Sequence, residues 1–185
     1  MPDAIRAGET NRLRPGAELR AVLTGLCAVA LACIGLRIFP AAEVELFGRG
    51  TGGLVALLTG RPIARAEDGW MLAGPDRAVL VSAACSATGY FLMVVALLGW
   101  RLARTPLHAP VAGVTAIVAA LPVTIFVNAL RVVALLQAHR WLIPRFPENY
   151  GPFLHLLTGV GVFLPALIGL NLILEFHGNS RRRSS

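Results

Sequence analysis

Three polar side chains stand where apolar sequence meets polar sequence, and their types suit nucleophilic catalysis: Cys85, Arg131 and His155. A thiol with an ordinary pKa near ~8.5 is mostly protonated at neutral pH, and a neighbouring cation enlarges its thiolate fraction. If Cys85 opens a helix, the unpaired backbone N–H groups there add to that effect. Around it, Ala83, Ala84, Ser86 and Ala87 are small and let a peptide approach closely. His155, with an unperturbed pKa near ~6.5, suits a proton shuttle. Arg131 suits a substrate carbonyl or the oxyanion of a tetrahedral intermediate. Asn128 lies one turn before it on a neighbouring helix face and is placed to orient it.

Taken singly, each residue also has a structural reading. A cysteine at a helix end can simply pack, an arginine can snorkel to the headgroups, and an interfacial histidine can have no role. What favours a site is that three separate segments bring them to the same side of a bilayer. The remaining histidines fit less well. His177 follows His155 by 22 residues on one span, and that much helix is about 33 Å long. His108 falls on the opposite side, while His139 shares the side of Cys85 and remains a substitute. Cys27 and Cys33 lie inside an apolar run and read as small membrane residues. Three cysteines make no closed disulfide framework and have no metal-ligand spacing. No metal or organic cofactor is implied.

The elements that must carry these residues are membrane helices. Of the 185 residues 56% are hydrophobic and only 15% charged, against roughly a quarter charged in a soluble domain. Uncharged runs near the length that crosses a bilayer core of roughly 30 Å recur along the chain. Four spans are expected, at residues 19–39, 86–102, 109–130 and 153–174, with Pro122 and Pro165 inside the last two. Arg12, Arg14 and Arg20 before the first run resemble the start of a signal peptide, but the run is long and its end is a poor cleavage site. An uncleaved first helix is the expectation. The fold class is thus an all-α integral membrane protein forming one polytopic domain over residues 1–185.

Orientation follows from the arginines. All seventeen basic residues are arginine and the net charge is +7. Arg6, Arg12, Arg14, Arg20, Arg101, Arg104 and Arg181 to Arg183 fall on one side with few acids. On the other side Arg49, Arg61, Arg65, Arg77, Arg131, Arg140 and Arg145 are offset by Glu43, Glu45, Glu67, Asp68, Asp76 and Glu148. The first side is expected to be cytoplasmic, which puts both termini inside. Residues 176–185 then form a basic cytoplasmic tail against anionic headgroups, and loops 41–84 and 131–152 face outward. Basic residues at the ends of apolar runs argue for a lipid partner and against a nucleic-acid face. The first outer loop carries Leu54, Val55, Leu57 and Leu58, suited to a short interfacial helix. It continues through turn signals at Gly69-Trp70 and Gly74-Pro75 to Val79-Leu80-Val81, a candidate hairpin.

The ordered set Ala84-Cys85-Ser86, Asn128-Ala129-Leu130-Arg131-Val132 and His155 with Gly159 resembles the exosortase/archaeosortase family. That family carries a Cys-Ser-Gly-like element, an Asn-x-x-Arg element and a later His, each beside a membrane helix. The likeness runs from about Val79 to Phe163, nearly half the chain. It implies a membrane-embedded cysteine transpeptidase or peptidase at the outer face of the cytoplasmic (inner) membrane. Its substrates would be membrane-anchored proteins with a C-terminal sorting tail of the PEP-CTERM kind: a short signature, a hydrophobic helix and a basic end. Cys85 would be the nucleophile forming a thioester, Arg131 the transition-state stabiliser and His155 the acid/base, with Asn128 and Ser86 in support. Release to an envelope nucleophile would follow, often alongside exopolysaccharide production. Two departures stand out. The family's glycine after Cys-Ser is Ala87 here, and the chain is short, in the manner of exosortase K. A non-enzymatic membrane scaffold for envelope polysaccharide is the alternative. A small transporter fits least, since the third and fourth spans offer mainly Thr115, Thr124 and Thr158 at depth.

Overall fold

The computed structural model describes residues 15–39, 41, 43–73, 78–82, 87–141, 145 and 150–183. Cys85 and Ser86 lie outside the described residues, as do Arg6, Arg12, Arg14, the Gly74-Pro75 turn signal and Glu148. The order of elements is helix α1 (Pro15–Ile38), a π-helical segment (Glu43–Arg49), α2 (Gly50–Thr59), strands β1 (Ile63–Ala66), β2 (Gly69–Leu72) and β3 (Val79–Ser82), then α3 (Thr88–Leu102), α4 (Ala109–Trp141) and α5 (Gly151–Arg183).

Three helical stretches are long and apolar enough to cross a membrane: Gly16–Ile38, Ala109–Ala138 and His155–Phe176. The fourth apolar helix, α3, has 15 residues, which gives about 22 Å against a bilayer core of roughly 30 Å. The chain is a multi-pass helical membrane protein, as its composition requires. Leu156, Leu157, Val160, Leu164, Ile168 and Leu172 on α5 are exposed, which suits a helix whose surroundings are lipid rather than water.

The helices meet through small residues. A Cβ on Gly25 of α1 would lie 3.2 Å from the Ala96 carbonyl oxygen, and one on Gly99 of α3 would lie 3.1 Å from the Gly25 Cα. Two backbones therefore touch at this crossing, the arrangement that lets apolar helices associate within lipid. Ala28, Ala116 and Ala120 continue the tight packing beside Phe47, Tyr90, Phe91, Val94, Val95 and Leu98. Phe47 comes from the π-helical segment and meets Phe91 at 5.2 Å between ring centroids, so the cap is anchored in the helical core.

That cap is more built than its sequence suggested. The expected short helix is α2, stopped at Gly60, whose φ of 68° is the left-handed conformation glycine adopts without cost. The expected hairpin is a three-stranded antiparallel sheet in the order β1-β2-β3. Ile63-Ala66 was missed because it pairs Ile, Ala and Arg without clear alternation. Leu72 and Val81 bury one face of the sheet against Val55 of α2 and Ala129 and Val132 of α4.

Helix α4 also departs from expectation. It runs past Leu130 to Trp141, so Arg131 lies within a helix rather than at its end. The reason is local: Val132-Val133-Ala134-Leu135-Leu136-Gln137 continues without a breaker and packs under the sheet. Helix α5 likewise extends into the arginine-rich tail and ends at Arg183.

Candidate active site

Arg131 and His155 meet. The Arg131 Nη2 lies 2.9 Å from the His155 Nε2, although 24 residues separate them in the chain. A guanidinium can only donate, so the imidazole Nε2 accepts in this contact and the ring proton sits on Nδ1. Arg131 is 9% exposed, and its Nε has no hydrogen-bond partner among the described residues.

The packing around the guanidinium explains three further residues. Gly159 lies one turn after His155, and a Cβ there would stand 3.3 Å from the Arg131 Nε. A side chain there would press on the guanidinium unless it shifted by a few tenths of an ångström. One turn further, the Phe163 ring lies 5.2 Å from the Arg131 Cζ, a cation–π contact that holds the charge in an apolar place. Tyr90 of α3 stacks on Phe163, with centroids 4.6 Å apart. The helix that follows the Cys85 segment thus reaches the arginine through two rings.

Asn128, expected to orient Arg131, is fully buried. Its Nδ2 donates to the Thr51 Oγ1 of α2 at 3.2 Å, so it ties α4 to the cap one turn below the arginine. Thr51 was not singled out in the sequence, because a lone hydroxyl in a Gly-rich turn carries no pairing signal. Glu43 was likewise counted only as an acid on that side. It accepts a hydrogen bond from the Thr88 Oγ1 at 2.5 Å, fastening the π-helical segment to the first residue of α3.

The nucleophile candidate Cys85 and its neighbour Ser86 fall in the connection between β3 and α3, outside the described residues. Their flanks are described. Ala87 precedes α3 with φ 59° and ψ 25°, the left-handed region that costs a non-glycine residue roughly 1–2 kcal/mol. The position where the family pattern has glycine therefore keeps the glycine conformation although its side chain is a methyl.

The other candidates are apart from this pair. Cys27 and Cys33 are on α1, and His108 is exposed in the turn before α4. His139 lies on α4 and His177 on α5, beyond which their side chains are not among the described parts. No group of three or more His, Cys, Asp or Glu suited to a metal occurs among the described residues.

The family model for transmembrane exosortases (Exosortase_EpsH) matches residues 45–172. The chain belongs to the transmembrane exosortase family. No curated protein and no solved structure matches it. The matched stretch begins in the π-helical segment and ends within α5, so it includes Arg131 and His155 and leaves out α1. The family membership supports a membrane exosortase-type function in the broad sense.

Proposed function

We propose that the chain is a cysteine transpeptidase or peptidase that cleaves C-terminal sorting tails at the outer face of the cytoplasmic membrane. The observation that carries the reading is the part-buried Arg131–His155 contact at 2.9 Å between two helices. Burial makes such a pair expensive unless it has a task.

The residues divide the chemistry as follows. As the Cys85 sulfur attacks the carbonyl carbon of the scissile peptide, its thiol proton passes to His155, and the carbonyl oxygen takes up the electron pair. Arg131 neutralises that oxyanion with N–H donors already aimed in a low-dielectric site. The C–N bond then breaks, the departing amine receives that proton from the His155 imidazolium, and a thioester remains on Cys85. An acceptor amine or water attacks the thioester, gives its proton back to His155, and expels the thiolate. Arg131 is then the counter-cation of the thiolate, and His155 is the proton carrier.

The test is a reconstituted cleavage assay using tail-bearing proteins encoded beside the enzyme, with trapping by hydroxylamine. Cleavage and a hydroxylamine-sensitive adduct are expected, both abolished in Cys85→Ala. Unimpaired function of the Cys85→Ala protein in its cell would sink the enzymatic reading in favour of a scaffold.

A further inference from the structure

Among the described residues the outer edge of strand β3 has no partner strand, and in the sequence Cys85 follows this strand. The Ala73 N–H donates to the Pro62 carbonyl at 3.0 Å, which continues the β1–β2 register by one pair. In an antiparallel ladder bonding residues alternate, so Gly69 and Met71 turn their backbone groups toward β1, and Trp70 and Leu72 toward β3. Trp70 stands opposite Val81 and Leu72 opposite Val79. Val79 and Val81 therefore bond β2, and the backbone groups of Leu80 and Ser82 point away from the sheet. Among the described residues no strand or loop pairs with them.

The two edges of this sheet are not alike. On the β1 side, Arg65 is ion-paired with Glu45, the kind of charged edge that discourages pairing. The β3 side presents the apolar Leu80, which is 43% exposed. Val81 packs with Ala129 and Val132, residues that bracket Arg131 on α4. Cys85 follows Ser82 by three residues, a reach of at most about 11 Å.

The geometry points to strand addition as the way the substrate is held: an extended peptide segment pairs with Leu80 and Ser82 as a fourth strand, on the stretch of chain that precedes Cys85 in the sequence. This rests on the transpeptidase reading above. A row of unpaired N–H and C=O groups is matched by another extended main chain. It gives affinity that depends little on side chains, leaving discrimination to alternate positions of the bound segment. The occupant is thus an unfolded signature with free amides on every second residue, rather than a folded domain.

The experiment uses the full chain in proteoliposomes and a synthetic tail peptide cleaved in a Cys85-dependent way. Replacing one backbone amide at a time by an ester should lower kcat/KM about five- to tenfold at alternate positions and leave the intervening ones unchanged. Leu80→Pro, which removes only an edge N–H, should raise KM by a similar factor. Leu80→Ala should not, and labelling of Cys85 by a small thiol reagent should be the same in both variants. Cleavage with an ester scan that has no period of two, and full activity of Leu80→Pro, would overturn strand addition alone. Edge-to-edge dimers of the protein, lost in Leu80→Pro with cleavage unaffected, would also overturn it. If the unaltered protein cleaves no tail, the transpeptidase reading fails first and this proposal with it.

Discussion

Both ends of the helical bundle join an arginine to α5, but they do so with different partners. At the end opposite the cap, Arg101 of α3 donates to the Asn171 Oδ1 at 2.7 Å and lies 3.7 Å from the Glu175 carboxylate. Arg104 beside it bonds Glu18 of α1 at 2.6 Å, and Arg20 donates to the Leu107 carbonyl at 2.9 Å. At the cap end, Arg131 meets an imidazole, and no carboxylate pairs with it among the described residues. Arg101 and Arg131 both leave Nε without a hydrogen-bond partner, so the contrast lies in charge. An arginine already neutralised by carboxylates is a clasp. One held by rings, a glycine and an imidazole has no carboxylate on it among the described residues, which is what the proposed oxyanion role requires.

The largest way to break this contrast is to remove the two arginines in turn. Arg131→Gln should lower tail cleavage about 10²- to 10³-fold, the usual loss for one oxyanion donor, with little change in thermal stability. Arg131→Lys should fare almost as badly, since an ammonium lacks the planar fork. Arg104→Gln should do the reverse: activity per folded molecule is kept, and stability falls by about 0.5–1 kcal/mol for a half-exposed pair. Equal activity losses at the two ends, read in the same assay, would erase the distinction.

A gentler change sharpens it. Gly159→Val places a branched side chain against the Arg131 guanidinium, where even a Cβ would come within 3.3 Å. Cleavage should drop about tenfold to a hundredfold through displacement of the arginine, while circular dichroism stays that of a folded helical protein. Smaller still are two changes in the cap. Thr51→Val removes the hydroxyl that accepts from Asn128 and should cost about 1 kcal/mol, read as a lower unfolding midpoint in mild detergent. Ala87→Gly should gain about 1 kcal/mol by releasing the left-handed strain.

The helical membrane fold was legible because length and hydropathy alone distinguish spanning helices. Arg131 and His155 were legible as a pair because intramembrane ionisable residues are rare and point to partners. Less of the cap could be read. Its strands are four residues each, too short for alternation to be distinguished from chance. The end of α4 was misjudged because an arginine after an apolar run looks like a boundary. In the structure the helix continues, since Arg131 finds its partner on α5 and Val132 packs beneath β3. Asn128 illustrates the limit most clearly: spacing put it near Arg131, but its hydrogen bond to Thr51 spans 77 residues, a pairing that no local pattern encodes.

The central claim is that Arg131 serves the thiolate of Cys85 while His155 carries the proton. The most direct measurement is the rate at which Cys85 reacts with a membrane-impermeant thiol reagent in intact cells, in a Cys27→Ala/Cys33→Ala background. At neutral pH the account predicts labelling well above that of an ordinary thiol. It should slow by about tenfold in Arg131→Gln, because a neighbouring cation raises the thiolate fraction, and change less in His155→Gln. Labelling at an ordinary rate, whichever residue stands at 131, would contradict the account.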